Sequence, residues 1–281
     1  MKFTKMQGAG NDFIVIDNIT EKIPVEKLGE LAKRICTRRL SIGADGLMVV
    51  DEPTDGGDYK MRFYNADGSL GEMCGNGARC IARYGYEKGL AGSTQRVETT
   101  AGLVVGERIN ERQYKIRLND ISKLTIDEEI VLDGKGITLS YVELGNPGLP
   151  HVVVEIPGLS SMDKEELRTL GEKLRYDEHF PKGANVNFYE ITGKDSIVEL
   201  TYERGVEDFT MACGTGTGCV VSVLTLKNCV SGNNVGVEVP GGKLFITVAR
   251  EKQTGKIKDI FLTGPTNIVA EGEITDEELI L

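Results

Sequence analysis

The sequence predicts an α/β protein, more narrowly an α+β protein, built from two similar domains related by a pseudo-twofold axis. Each domain is expected to be a curved, mostly antiparallel sheet wrapped around a central helix. A string of the form Cys-Gly-x-Gly-x-x-Cys occurs twice, at Cys74–Cys80 and Cys213–Cys219, about half a chain length apart. Strand-like segments precede each string, and a helix-forming segment and then further strands follow it.

In the first half, alternating apolar residues predict strands, and apolar residues three and four positions apart predict helices. The predicted elements are strands at 2–6, 13–17, 47–50 and 59–64, a helix at 24–36, a helix at 78–88 after the first string, and strands within 96–118.

In the second half the same order returns. The predicted elements are strands at 137–144 and 152–156, a helix at 162–173, strands at 185–191 and 197–203, a helix at 219–227 after the second string, and strands at 235–239, 243–249 and 257–262. We expect a first domain over 1–119 that carries Cys74 and a second over 120–263 that carries Cys213. The tail, 264–281, is expected to return to the first domain.

Composition excludes several classes of function. The net charge of −10 and the absence of a Lys/Arg block argue against a nucleic-acid partner. No run of about 18 apolar residues appears, so no membrane span is expected. The first residues lack the apolar stretch of a signal peptide, which predicts a cytoplasmic location and six reduced cysteines.

Cysteine at the start of a helix has a chemical consequence. The N–H groups of a first helical turn lack intrahelical partners and favour negative charge, so they can assist a thiolate and bind a carboxylate. Two such loops facing each other would place a sulfur on either side of one carbon. One thiolate could then remove a proton while the other thiol delivers one, which is the chemistry of a cofactor-independent racemase or epimerase.

Cysteines in such strings can also have other roles. Free cysteine is often a small buried hydrophobic residue, and we expect that role for Cys36, Cys80, Cys219 and Cys229. The spacing does not fit a zinc site, and neither string ends in the Lys-Ser/Thr of a phosphate loop. We therefore predict no metal and no cofactor.

The sequence resembles the diaminopimelate epimerase family, whose members act without pyridoxal phosphate. Seven stretches in order carry the resemblance: 8–13, 43–46, 64–69, 73–80, 185–188, 202–205 and 212–216. It implies an isomerase with a small amino-acid substrate, LL-diaminopimelate converted to meso-diaminopimelate, in lysine and peptidoglycan-precursor biosynthesis. A homodimer is a further expectation.

The resemblance also implies roles for individual residues. Cys74 and Cys213 match the acid/base pair. The remaining matches are substrate-binding residues, and His151 and Glu203 are also expected to modulate the thiols. The substrate-binding set is Asn11, Asn65, Gly75, Asn76, Asn185, Glu203, Arg204, Gly214 and Thr215.

One segment departs from the family pattern of Gly-Asn-Pro-His before a strand. Here the chain reads Gly145-Asn146-Pro147-Gly148-Leu149-Pro150-His151. Either Asn146 keeps the family role with three residues inserted, or Leu149 stands where an asparagine belongs. Three functions therefore stay open: diaminopimelate epimerase, a related racemase of another amino acid, and a non-catalytic carboxylate- or metal-binding protein.

Overall fold

The computed structural model describes residues 1–71, 74–251, 253–275 and 277. Met73 of the matching stretch 73–80 therefore lies outside the described residues. The chain folds into two compact units, which are Met1–Ile116 with Gly264–Leu281, and Arg117–Thr263. Helices and strands alternate in both, and the predicted α+β class is confirmed.

The first unit contains three helices and most of eight strands. The strands are β1 Lys2–Gly8, β2 Asn11–Asp17, β3 Gly46–Asp51, β4 Tyr59–Asn65, β5 Thr94–Thr99, β6 Gly102–Arg108, β7 Gln113–Arg117 and, from the C-terminal segment, β17 Asn267–Glu273; the helices are α1 Asn18–Glu21, α2 Leu28–Cys36 and α3 Gly75–Glu87. A short 3-10 turn, Val25–Lys27, precedes α2.

The second unit contains two helices and nine strands. The strands are β8 Ile121–Leu132, β9 Lys135–Leu144, β10 Leu149–Glu155, β11 Asn185–Gly193, β12 Ser196–Glu203, β13 Asp208–Phe209, β14 Val235–Val239, β15 Gly242–Arg250 and β16 Ile257–Pro265; the helices are α4 Lys164–Arg175 and α5 Gly214–Leu226. A 3-10 turn, Leu159–Ser161, precedes α4.

The two units repeat one pairing scheme. From β1 to β7, successive neighbours pair antiparallel, parallel, antiparallel, parallel, antiparallel and antiparallel. The series β9, β10, β11, β12, β14, β15 and β16 gives the same order. The outer strands correspond as well, because β17 pairs antiparallel with β1 and β8 pairs antiparallel with β9. In both series the second parallel step contains the helix that follows a Cys-Gly string.

Side-chain alternation along the strands gives each sheet two faces. In the first unit, Ile14 and Ile16 of β2 pack with Leu31 and Ile35 of α2. Phe13 and Val15 point the other way and pack with Ile81 of α3. In the second unit, Val152, Val186 and Phe188 pack with Leu167 and Leu174 of α4. The opposite face of these strands is covered by α5.

Helix α5 is apolar on nearly every side, which is typical of a helix buried all round. Eleven of its thirteen residues are buried, and it contacts strands from β9 to β15. Helix α3 likewise contacts β1, β2, β5 and β6. A sheet whose opposite ends reach the same helix must curve around it, as the sequence predicted for both halves.

Several elements and one cysteine differ from expectation. The sequence prediction contains none of α1, β8, β13 and β17, and the helix predicted at 24–36 is a 3-10 turn followed by α2. Helices α3 and α5 begin three and five residues earlier than predicted, at Gly75 and Gly214. Cys36, Cys80 and Cys219 are buried as expected, but Cys229 is exposed. The prediction for Cys229 was wrong because α5 ends before it, at Leu226.

Candidate active site

Cys74 and Cys213 are the N-cap residues of the two central helices. Each has extended backbone angles, with φ −97° and ψ 121° at Cys74 and φ −115° and ψ 100° at Cys213. The carbonyl of Cys74 accepts the N–H of Ala78, and that of Cys213 accepts the N–H of Thr217. Each cysteine therefore lies at the end of a helix where the N–H groups of the first turn favour an anion.

The first loop is braced by a chain of side-chain hydrogen bonds. Asn76 donates from Nδ2 to Asn11 Oδ1 at 2.5 Å, and its Oδ1 accepts from Arg79 at 2.8 Å. Arg79 also donates to the carbonyl of Gly75, at 3.3 Å. Three of the predicted residues, Asn11, Gly75 and Asn76, are thus brought together, and the fully buried Arg79 joins them.

Asn11 begins β2 and is held from its other side by Asp45, the residue directly before β3. Its Nδ2 donates to Asp45, at 3.2 Å. The neighbouring Asp12 contacts Lys5 and Arg38, at 2.7 and 2.6 Å. Burial opposes ionisation of Asp12, but the two cations outweigh it and hold the pKa of that carboxyl below its usual value. The base of this loop is therefore a network of charged groups.

Asn65 ends strand β4 and makes its hydrogen bonds within a turn. Its Nδ2 donates to Ser69 Oγ and its N–H to the Ser69 carbonyl, both at 2.9 Å. These hydrogen bonds of Asn65 are those of a turn-forming residue. Its substrate-binding role stays a prediction.

The second loop lies on a layer of buried polar side chains. Side chains two residues apart on β10, β11 and β12 point toward α5, and several are polar. His151, Asn187, Glu199 and Thr201 are all at most 3% exposed. At the corresponding positions of the first unit, β2 and β3 present Phe13, Val15, Met48 and Val50 to α3.

Asn187 is the centre of this layer. Its Nδ2 donates to the Val152 carbonyl at 2.9 Å and lies 3.2 Å from His151 Nδ1, while its Oδ1 accepts from Thr201 Oγ1 at 3.1 Å. A Cβ atom built on Gly216 would stand 2.0 Å from the same Oδ1. Glycine is therefore required there so that α5 can lie directly on Asn187.

His151 is neutral in this layer. Burial lowers its pKa to about 3. Because Asn187 Nδ2 is a donor, His151 Nδ1 must accept, and the ring proton is assigned to Nε2. Nε2 has no hydrogen-bond partner within the described residues.

Asn185 and Arg204 are linked directly. Asn185 Oδ1 accepts the N–H of Arg204 at 2.9 Å, and its Nδ2 donates to the Pro150 carbonyl at 3.1 Å. Arg204 itself donates to the Lys182 carbonyl at 3.0 Å and is half-exposed. The guanidinium, whose planar fork can bind a carboxylate with two hydrogen bonds, is thus placed beside Asn185.

The Cys213 thiol is 8% exposed and has two carboxyl groups nearby. Burial, followed by the charge of Glu203, raises the pKa of this thiol well above its usual value. The Thr215 hydroxyl, 3.5 Å from the sulfur, and the N–H of Gly216 act in the opposite direction. Glu203 is held by Thr210, whose hydroxyl donates to it at 2.8 Å.

The segment that departs from the family pattern begins with the connection between β9 and β10, residues 145–148. Leu149 begins β10, opposite Leu144, so His151 lies two residues further on the same face. Asn146 and Pro147 line a cavity of about 480 Å³ with Glu143 and Lys182. A Cβ on Gly148 would stand 2.2 Å from Glu143 Oε2, so the turn packs closely on that carboxylate. Both alignments of the segment stay open.

The residues of these networks that were not predicted as site residues include Arg79, Asn187, Glu199, Thr201 and Thr217. For Glu199 a signal was available, since Glu199, Thr201 and Glu203 alternate with apolar residues along β12 and so share one face. For Asn187 and Thr217, no sequence pattern indicates a role in the site. Their position in it follows only from the packing of β11 against α5. Among the described residues, no three His, Cys, Asp or Glu side chains are grouped to hold a metal ion.

Comparison with known sequences decides the family. The model of the diaminopimelate epimerase family matches residues 3–120 and 144–269. A diaminopimelate epimerase of Aquifex aeolicus is 38% identical over 99% of both chains. The chain belongs to the diaminopimelate epimerase family. Another diaminopimelate epimerase, from the archaeon Methanococcus maripaludis, is 36% identical over 98% of this chain and 99% of its own.

Solved structures of low sequence identity have a similar fold. A probable proline racemase from Agrobacterium radiobacter gives a TM-score of 0.71 at 15% identity, covering 98% of this chain and 92% of its own. A hydroxyproline epimerase from Agrobacterium vitis also gives 0.71, at 16% identity, covering 97% and 90%. At these identities the likeness concerns the fold. None of the helices in the described part of the chain is long and apolar enough to span a membrane.

Proposed function

We propose that this protein is an isomerase that converts LL-diaminopimelate to meso-diaminopimelate without a cofactor, using Cys74 and Cys213 as its acid/base pair. The observation that carries the proposal is the placement of these cysteines. In a chain of the diaminopimelate epimerase family, each caps a buried helix at the same step of a repeated pairing scheme. This explains why a cysteine recurs at matched positions.

In the proposed reaction, one cysteine is a thiolate and the other a thiol. The thiolate takes the α-proton, so a C–H bond breaks and an S–H bond forms. The thiol then gives its proton to the opposite face of the carbon and becomes the thiolate. The first-turn N–H groups of Gly75, Asn76, Gly214 and Thr215 would hold the reacting carboxylate and stabilise the carbanion.

The other predicted residues receive binding roles in this proposal. Arg204 suits the distal carboxylate, and Asn185 positions it through the hydrogen bond to its backbone. Asn11 and Asn65 would bind polar groups of the substrate. Glu203 would contact the substrate amine and influence the Cys213 thiol, and His151 would support this loop through Asn187.

The test uses single replacements of the two cysteines. We expect Cys74→Ala and Cys213→Ala each to abolish net epimerisation, because each removes one of two obligatory proton carriers. Cys229→Ala is the matched control, since that thiol is exposed and outside both strings. The assay is conversion of LL-diaminopimelate in deuterated water under reducing conditions. Full turnover by either helix-cap variant would refute the two-cysteine mechanism.

A related racemase of another amino acid is the second candidate. It is favoured by one observation, the Leu149 side chain at the position before Pro150 and His151 where the family pattern has asparagine. Loss of an amide that binds the distal end of diaminopimelate would cost about 1–3 kcal/mol of binding. α-Deuterium exchange measured across a panel of amino acids separates the candidates. Exchange with diaminopimelate alone supports the first, exchange only with another amino acid supports the second, and no exchange favours a binding protein.

We also propose a cytoplasmic location and a homodimer. The six free cysteines suit a reducing compartment. Light scattering coupled to size-exclusion chromatography tests the dimer, and a monomeric mass at working concentration would refute it.

A further inference from the structure

His151, Asn185 and Glu203, three residues predicted for the site, lie side by side on neighbouring strands. His151 of β10 pairs with Asn185, the first residue of β11. On β12, Glu203 directly follows Tyr202, whose partner on β11 is Val186, so Glu203 comes beside Asn185. The three residues therefore form one row across the sheet, on the face that α5 covers.

Asn187 belongs to the next row of the same face and is fully buried. Its partners in that row are Val153 on β10 and Thr201 on β12. Two distances connect it to the second cysteine, because a Cβ built on Gly216 would stand 2.0 Å from Asn187 Oδ1 and 3.3 Å from Cys213 Sγ. The Asn187 amide and the Cys213 sulfur thus border the same small space at the start of α5.

A backbone carbonyl fixes the orientation of the Asn187 amide. The Val152 carbonyl oxygen lies 2.9 Å from Nδ2 and can only accept a hydrogen bond. The amide nitrogen must therefore face Val152, while Oδ1 faces the Thr201 hydroxyl at 3.1 Å. The second N–H of the amide remains for His151 Nδ1, 3.2 Å away. The amide consequently presents a donor to the histidine.

This donor decides the protonation state of the His151 ring. A ring nitrogen that accepts an N–H must offer its lone pair, so Nδ1 carries no proton. That excludes the Nδ1–H tautomer and the doubly protonated ring, and the single ring proton is on Nε2. Burial acts in the same direction, because it lowers the pKa of His151 to about 3. Within the described residues, Nε2 has no hydrogen-bond partner, so its N–H is an unused donor.

We propose that Asn187 is a positioning residue of the site, which makes His151 a hydrogen-bond donor through Nε2 and prevents it from acting as a base. A neutral histidine has one lone pair that can take a proton, and Asn187 occupies it. The inference rests on the proposed two-cysteine function and deepens it. Removal of the α-proton is left to the cysteines, although a histidine lies in the same row as Asn185 and Glu203.

NMR spectroscopy reads the tautomer of His151 directly. The protein is labelled with nitrogen-15 histidine, and long-range proton–nitrogen correlations at pH 8 show which ring nitrogen carries the proton. The chain has only two histidines, so a His179→Gln variant identifies the signals of each. We expect a neutral His151 ring with its proton on Nε2. A protonated Nδ1 in the parent would overturn the inference.

Asn187→Asp removes the donor and keeps the size of the side chain. A carboxylate has only acceptors, so the ring proton of His151 should move to Nδ1 and leave a free lone pair on Nε2. Thr201→Val is the matched control, because it removes the other hydrogen bond of the amide and leaves Nδ2 on the Val152 carbonyl. It should keep the parental tautomer. An Nε2 proton retained in Asn187→Asp, or lost in Thr201→Val, would refute the role of Asn187.

Steady-state kinetics measure the consequence for the reaction. Asn187→Asp should lower kcat for LL-diaminopimelate by about tenfold or more, because the donor is lost. KM should change by less than about threefold, because the hydrogen bonds from Asn185 to the Arg204 backbone and the Pro150 carbonyl are retained. A reversed tautomer with parental kcat would show that the reaction does not use the donor, and would overturn the proposal.

The parent protein provides a test even if Asn187→Asp does not fold by circular dichroism. A hydrogen bond from Asn187 Nδ2 to His151 Nδ1 produces a scalar coupling between the two nitrogens, and its absence would overturn the proposal. Failure of the proposed function is distinguishable. It would appear as epimerisation that survives replacement of Cys74 or Cys213, whereas failure of this inference would appear in the nitrogen spectra or in the kcat of Asn187→Asp, in an enzyme that needs both cysteines.

Discussion

At the scale of single residues, Glu199 is a buried carboxyl group of the second unit. A carboxylic acid in a helix-covered sheet costs stability unless it is neutral, because an unpaired buried charge loses its hydration. Glu199 meets this condition only while it is protonated. Its burial therefore links the stability of the second unit to pH.

We expect the free energy of unfolding to fall as pH rises through Glu199. The folded-state pKa, about 8, lies above the unfolded value of 4.5, so between these the folded protein holds a proton that the unfolded chain has released. Stability is then lost with rising pH, by up to about 3–5 kcal/mol across the window. Glu199→Gln should be more stable than the parent at pH 8 by more than it is at pH 5. Urea unfolding at both values measures this, and parallel curves for parent and variant would contradict it.

His151 gives the opposite dependence. Its folded-state pKa, about 3, lies below the usual 6.5, so its contribution is present above pH 6.5 and is lost as pH falls toward 3. We expect His151→Gln to reduce the acid sensitivity of unfolding between pH 6.5 and pH 4. His179 is the control position, because it is exposed and Asp177 raises its pKa, whereas burial lowers the pKa of His151. Equal acid sensitivity of parent and His151→Gln would show that His151 does not contribute.

At the scale of elements, the first turn of each central helix decides how closely the helix approaches its sheet. The string repeats a glycine at Gly77 and Gly216, but their surroundings differ. A Cβ on Gly77 would find its nearest neighbours at 3.4–3.6 Å, which is ordinary contact, whereas one on Gly216 would meet Asn187 Oδ1 at 2.0 Å. The second helix thus lies tightly on a polar layer, and the first on an apolar one with more room.

We therefore expect the two alanine variants to differ. Gly216→Ala should force α5 away from Asn187, destabilise the protein by about 1–3 kcal/mol and lower kcat at least tenfold. Gly77→Ala is the matched control and should retain near-parental thermal stability, since the added methyl group fits. Thermal unfolding and steady-state turnover measure both. Equal effects of the two substitutions would contradict the packing argument.

At the scale of the whole molecule, the C-terminal segment completes the first unit. Strand β17 pairs with β1 from Lys2 to Gln7, and the Thr266 N–H donates to the Arg112 carbonyl. Ile268 packs against the cluster under α3, whereas Val269 is 54% exposed. The N-terminal strand consequently depends on residues from the other end of the sequence.

Substitutions in β17 test this dependence. Ile268→Ala should destabilise the protein by about 1–3 kcal/mol, because it removes apolar contacts from a packed cluster. Val269→Ala, on the opposite face of the same strand, should change stability by less than about 0.5 kcal/mol. Urea unfolding of both variants provides the measurement. A loss at Val269 as large as that at Ile268 would show that β17 does not pack as described.

Much of this arrangement was readable in the sequence because it depends on local patterns. Alternating runs such as 59–63 and apolar runs such as 13–17 mark strands, and the repeated Cys-Gly strings mark two helix starts. Strand β8 was missed because its charged residues give no clean alternation. It forms a strand because it pairs antiparallel with β9. Strand β17 likewise forms by pairing, and its partner β1 lies more than 250 residues away in sequence.

The sequence by itself determined the fold class and the two capping cysteines, because alternation and short-range spacing are local properties, and its motifs carried the resemblance to the family. Only the tertiary structure decided what lies beneath each cysteine. Arg79 and Glu199 acquire their meaning from burial, and burial depends on which strands pack against α3 and α5. The two strings share one pattern but differ in the buried groups around them, Arg79 at the first and Glu199 near the second, and electrostatic effects depend on distances in three dimensions.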